Sequence, residues 1–167
     1  MRMVEVDATY SFEVIDKTLP SYKLASGISE WLQTNLENLT DNNDDKIFSK
    51  VNTGFNKETL KTFGNKPVCD IYIDRVDYGS DYDIHAPTEV HTILLFYLKG
   101  ANNHAYNKCC ELHDYLIQEF ITNDSFRRLP NLVTDTRITN SELMNQPLEK
   151  KWGVMGALEL SHTLTYF

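Results

Sequence analysis

Residues 67–99 read PVCDIYIDRVDYGSDYDIHAPTEVHTILLFYLK, and this stretch decides the fold. In 68–76, Cys69, Ile71 and Ile73 fall on one face of an extended chain and Asp70, Tyr72 and Asp74 on the other, the period-two pattern of a half-buried strand. In 89–99 the second half is apolar at nearly every position, as a central strand covered on both faces requires. The segment between them, DYGSDYDIHAP (77–87), is too long for a tight turn. The pair predicts an antiparallel hairpin with a projecting acidic, tyrosine-rich tip.

The flanking sequence supplies helices and further strands. Pro20 suits the first turn of a helix, where its missing N–H costs nothing. Leu24, Ile28, Trp31, Leu32 and Leu36 follow at helical spacing to about residue 37. After the hairpin, Asn102 or Asn103 caps a second helix running to 122. Its expected apolar stripe is Tyr106, Cys109, Cys110, His113, Leu116, Ile117, Phe120 and Ile121. Residues 132–138 read as a strand, and 140–148, polar and containing Pro147, as a loop. From Trp152 to Phe167 the chain alternates throughout, the clearest strand in the sequence. Residues 4–14 also alternate, as a strand or as an extended arm serving a neighbouring subunit. Residues 38–66 form a long polar loop carrying DNNDD at 41–45, with room for a short strand near 46–51. The expected fold is α+β: one domain over 1–167, a single mixed or antiparallel sheet with two helices on it, order (β)-α-β-β-α-β-β.

Composition limits the function. The 167 residues carry 16 basic and 24 acidic side chains, a net charge of −8, and the basic ones are scattered. Phosphate binding needs clustered Lys and Arg, so specific nucleic-acid binding is not expected. No apolar run approaches the roughly 20 residues of a membrane span. The N-terminus, with Asp and Glu early, lacks the pattern of a secretory signal, which points to synthesis in a cytoplasm.

No catalytic motif is present: no phosphate-binding loop, dinucleotide turn, GxSxG or HExxH. Cys69, Cys109 and Cys110 form no metal spacing and read as small buried hydrophobes. His91, His113 and His162 lie on predicted strands or on the helix stripe and read as locally satisfied. His85 with Asp81 and Asp83 is the one combination in sequence that could meet a cation, yet DYGSDYD lacks the calcium-loop pattern and reads as a solvated acidic loop. The expectation is no enzyme, no cofactor and no metal.

The helix YKLASGISEWLQTNL, the hairpin just quoted, the helix NNHAYNKCCELHDYLIQEF and the final strand WGVMGALELSHTLTYF together resemble the tail terminator and tail-to-head joining proteins of long-tailed bacteriophages. The resemblance covers about residues 20–167 as an order of elements, without a diagnostic motif. It implies a virion protein that forms a homo-hexameric ring on the finished tail tube, touching the tube protein on one side and the head connector or stopper on the other. Partner-facing or lumen-facing residues would be Asp77, Tyr78, Asp81, Tyr82 and Asp83 in the hairpin tip and Asp41, Asp44 and Asp45 in the long loop. An acidic lumen would repel DNA in transit; the same charge would equally keep a monomer soluble. Alternatives are another virion tail subunit, a non-catalytic α+β domain that binds protein at a sheet edge, and a small enzyme or ligand-binding domain, for which the sequence offers no convergent polar pocket.

Overall fold

The structure, a computed structural model, describes residues 20–54, 66–78, 87–99, 103–148 and 151–165. The alternating segment 4–14 and the tip residues Asp81, Tyr82, Asp83 and His85 lie outside these. The elements are α1 (Pro20–Glu37), β1 (Lys50–Thr53), β2 (Val68–Tyr78), β3 (Pro87–Lys99), α2 (Asn103–Thr122), the single turn α3 (Asp124–Arg127), β4 (Val133–Leu148) and β5 (Lys151–Leu164). The protein is α+β, with one five-stranded sheet ordered β1-β2-β3-β5-β4. The sheet is mixed because β1 runs parallel to β2 while every other pair is antiparallel. β3 is the middle strand, as its two-sided apolar character requires.

Register divides the sheet into two faces. Cys69 lies opposite Phe96 and Ile71 opposite Leu94; Phe96, Leu94 and Thr92 in turn face Gly156, Leu158 and Leu160 of β5. All these residues point to the side covered by the helices, and most are fully buried. A Cβ on Gly156 would lie 2.2 Å from Phe96 Cζ, so the glycine is what lets that ring lie across β5. α1 buries Leu24, Ile28, Leu32 and Leu36, one residue per turn. It is tied to β1 by Gln33 Nε2 donating to the Val51 carbonyl at 2.9 Å. On its other side Trp31 Nε1 and Asn35 Nδ2 both donate to the Ser125 carbonyl.

Three expectations need correction. The 46–51 strand forms at Lys50–Thr53. The 140–148 loop is instead the second half of β4, a continuous edge strand of 16 residues paired along β5 as far as Leu148–Lys151. Pro147 is tolerated because an edge strand has one side without ladder bonds to lose. The helix stripe is turned from its expected position: Ala105, Cys109, Leu112, His113, Leu116 and Phe120 are buried, while Tyr106 is 39% and Ile121 60% exposed and Cys110 is half-buried. Phe120 packs edge-on against Phe126 of α3, ring centroids 4.9 Å apart. Cys69 and Cys109 are buried as expected, and burial pushes the Cys109 thiol up to about 12.

Candidate functional site

The face of the sheet turned away from the helices carries a dense polar group, at the hairpin ends of β2 and β3. A bulge at Asp74 creates it. Before the bulge, odd-numbered residues of β2 (Cys69, Ile71, Ile73) face the helices; after it, pairing resumes with Arg75 opposite His91, Val76 opposite Val90 and Asp77 opposite Glu89. The extra residue reverses the alternation. Val76 turns inward against the core, and Arg75 and Asp77 turn out beside Glu89 and His91.

Asp77 and Glu89 are thus like charges directly opposite one another, an arrangement that destabilises a sheet unless a polar group bridges them. His91 Nε2 occupies that place, 2.8 Å from Asp77 Oδ2 and 3.4 Å from Glu89 Oε2. Arg75 Nε holds the other oxygen of Asp77, Oδ1, at 3.4 Å. Ser161 of β5, directly opposite His91, donates its hydroxyl to Glu89 Oε2 at 3.3 Å. The His91 side chain is only 13% exposed, so its ring is held in place by the sheet around it. Beside it a cleft of about 210 Å³ is lined by Asp74, His91, Ile93, Thr139 and Glu159 among others.

Further along the same face, Asp70 is buried and accepts from Asn52 Nδ2 at 2.8 Å. Burial raises its pKa, and the Asn52 hydrogen bond and the Lys50 charge oppose the shift only in part. Elsewhere a shallower groove of about 390 Å³ runs between α2 and β4, floored by Ile117, Ile121 and Ile138. Arg127 and Arg137 rim it and hold Asp135 between them at 3.0 and 3.5 Å. Burial would raise the Asp135 pKa, but the two arginines outweigh it and the net direction is down.

The expected site residues do not converge. Asp77 is half-buried in a strand, and Tyr78, 49% exposed, is the last residue of β2. Asp41, Asp44 and Asp45 form an exposed turn whose ends Thr40 and Lys46 bridge. Asp41 Oδ1 accepts from the N–H groups of Asn43 and Asp45, and Asp44 adopts φ 61°. That turn leads into Ser49, whose N–H donates to the Pro67 carbonyl at the start of β2. Asp77 lies ten strand residues beyond Pro67, about 30 Å at the rise of a strand. The two acidic groups therefore sit toward opposite ends of the sheet. Arg75 and His91 were missed as partners of Asp77, and so were Glu89 opposite it and Ser161 on Glu89. The only signal in sequence was the hairpin itself, and the bulge that sets the register leaves no mark in composition.

No protein-family model matches the chain, and comparison with curated proteins gives no significant match. Among the described residues, no helix is long and apolar enough to cross a membrane.

Proposed function

We propose that the chain is a structural subunit of a bacteriophage tail, forming a hexameric ring at the head-proximal end of the tail tube and joining it to the head connector. The observation that carries the assembly part of this reading is β4. It is a 16-residue edge strand, and among the described residues nothing pairs with its outer side. Residues 139–142 at its middle are exposed, Ser141 even on the face that the helices cover nearer the strand's start. A long unpaired edge is a template for another strand, and proteins that stay monomeric shorten or block such edges. The opposite edge, β1, is different in length and surroundings. Contact between two unlike edges is head-to-tail, and head-to-tail contacts close into rings when the rotation permits. The phage assignment itself rests on the resemblance in the order of elements.

In this reading the 41–45 turn and the Asp77 end of the hairpin meet different neighbours, one the tube and the other the connector, because they lie toward opposite ends of the sheet. The test is negative-stain imaging of the purified protein, alone and mixed with isolated tail tubes. Six-fold rings, free or seated on tube ends, are expected. A protein that stays monomeric and never decorates a tube end would overturn the reading.

A further inference from the structure

We propose that Asp77, Glu89 and His91 form a binding site for a divalent transition-metal ion, with Zn²⁺ the best match to the donor set. One ligand atom from each residue lies within 4.8 Å of the other two. The closest approaches are those of His91 Nε2 to Asp77 Oδ2 at 2.8 Å and to Glu89 Oε2 at 3.4 Å. With bonds of about 2.0–2.2 Å the edge of a tetrahedral site is about 3.3–3.6 Å, so the Glu89 pair already has that spacing and the Asp77 pair, now a hydrogen bond, opens by about 0.5 Å to admit the ion. Imidazole with two carboxylates suits Zn²⁺ or Mn²⁺ better than Mg²⁺ or Ca²⁺, which take oxygen donors and more of them.

The supports are those of a built site. All three ligands stand on neighbouring strands, so sheet register and not loop conformation fixes their separation. Arg75 binds Asp77 through Oδ1 and leaves Oδ2 turned to the imidazole, and the Ser161 hydroxyl holds Glu89 through the oxygen that faces His91. Such outer contacts orient ligands at metal centres. Arg75 is 61% exposed, so solvent screens its repulsion of a cation. Three protein ligands leave at least one coordination position for water or a group from another molecule. The site does not depend on ring formation.

The test is isothermal titration of the chelator-treated full chain with ZnCl₂, and separately with MgCl₂. One Zn²⁺ per chain at micromolar affinity or better is expected, with Mg²⁺ at least 100-fold weaker. His91→Ala and Glu89→Gln should each weaken Zn²⁺ by 10-fold or more while circular dichroism stays that of the native fold. Because a variant could lose binding by distorting the sheet, the native protein supplies a second reading: Zn²⁺ should shift the ¹⁵N resonance of His91 Nε2 and leave that of buried His162 unchanged. Binding that survives His91→Ala undiminished, or a His91 resonance indifferent to Zn²⁺, overturns the site and leaves a histidine packed between two carboxylates.

Discussion

Two histidines on neighbouring strands, one on each face of the sheet, show how differently the two sides of this protein are built. His162 of β5 faces the helices and has no exposed surface. Both its ring nitrogens are taken by hydroxyls, Nε2 by Thr92 and Nδ1 by Thr136, each at 2.8 Å, and Trp31 meets its ring edge-on at 5.6 Å. Burial above all, and then the charge of His91, hold its pKa down to about 3. It is a neutral core residue whose polar atoms are satisfied. His91, opposite Ser161, the preceding residue of β5, stands on the other face, 2.8 Å from an Asp77 oxygen and 3.4 Å from a Glu89 oxygen. One side of the sheet excludes charge and the other collects it. The helix-covered side accounts for most of the apolar core, and the other side carries the polar cluster of Asp77, Glu89 and His91.

The largest effects should come from the covered side. Phe120→Ala removes a ring that is 2% exposed and packed on Phe126, and should cost about 3–5 kcal/mol in denaturant titration. Its helix neighbour Ile121, on the solvent side, should tolerate Ser within about 0.5 kcal/mol. Equal losses at the two positions would break the division between the faces of α2.

The next effect is the pH dependence that His162 imposes. Its folded pKa, about 3, lies below the ordinary 6.5, so the unfolded chain takes up a proton that the folded chain refuses. Its contribution to stability is therefore full above pH 6.5 and is lost as the pH falls toward 3. The loss between pH 7 and pH 5 comes to about 2 kcal/mol. His162→Gln should flatten the stability–pH curve by that amount in this window, whatever it costs at neutral pH. A variant with the wild-type slope would show that His162 accepts its proton in the folded state.

How far these assignments could be read from sequence differs between the faces. His162 falls in phase with Leu158, Leu160 and Leu164, every second residue, so its inward direction follows from the pattern. His91 lies in the short, mostly polar first half of a strand whose second half is apolar on both faces, and no alternation there gives its direction. Asp77 was visible as the start of an acidic stretch, but its partners depend on the Asp74 bulge, which turns a residue otherwise bound for the core out beside Glu89. The hairpin, both main helices and the last strand were legible because their periods are long and regular. β4 was legible only at its start, since an exposed edge strand needs no apolar alternation and its polar second half reads as loop. The α2 stripe was misplaced because Ala105 is small and Tyr106 large, and size was mistaken for burial.

That polar second half of β4 allows the comparison to be sharpened at the smallest cost to the fold. Asn140 and Ser141 are both exposed, one on each face of the strand, and contribute no buried apolar surface. Replacing both by Lys should change the stability of the isolated chain by no more than about 0.5 kcal/mol, as surface substitutions usually do. Adjacent lysines on an edge are among the devices by which sheets resist pairing with another chain. If β4 is the assembling edge, the double variant remains folded, keeps Zn²⁺ binding at Asp77, Glu89 and His91, and fails to form rings or seat on tube ends. Rings that form as readily as with the wild-type chain would remove β4 from the contact, and assembly would then have to run through another surface, of which the groove between α2 and β4 is the next to test. Loss of folding in the double variant would instead show that residues 140–141 are more than a solvated edge, and would shift the boundary between the two kinds of surface into β4 itself.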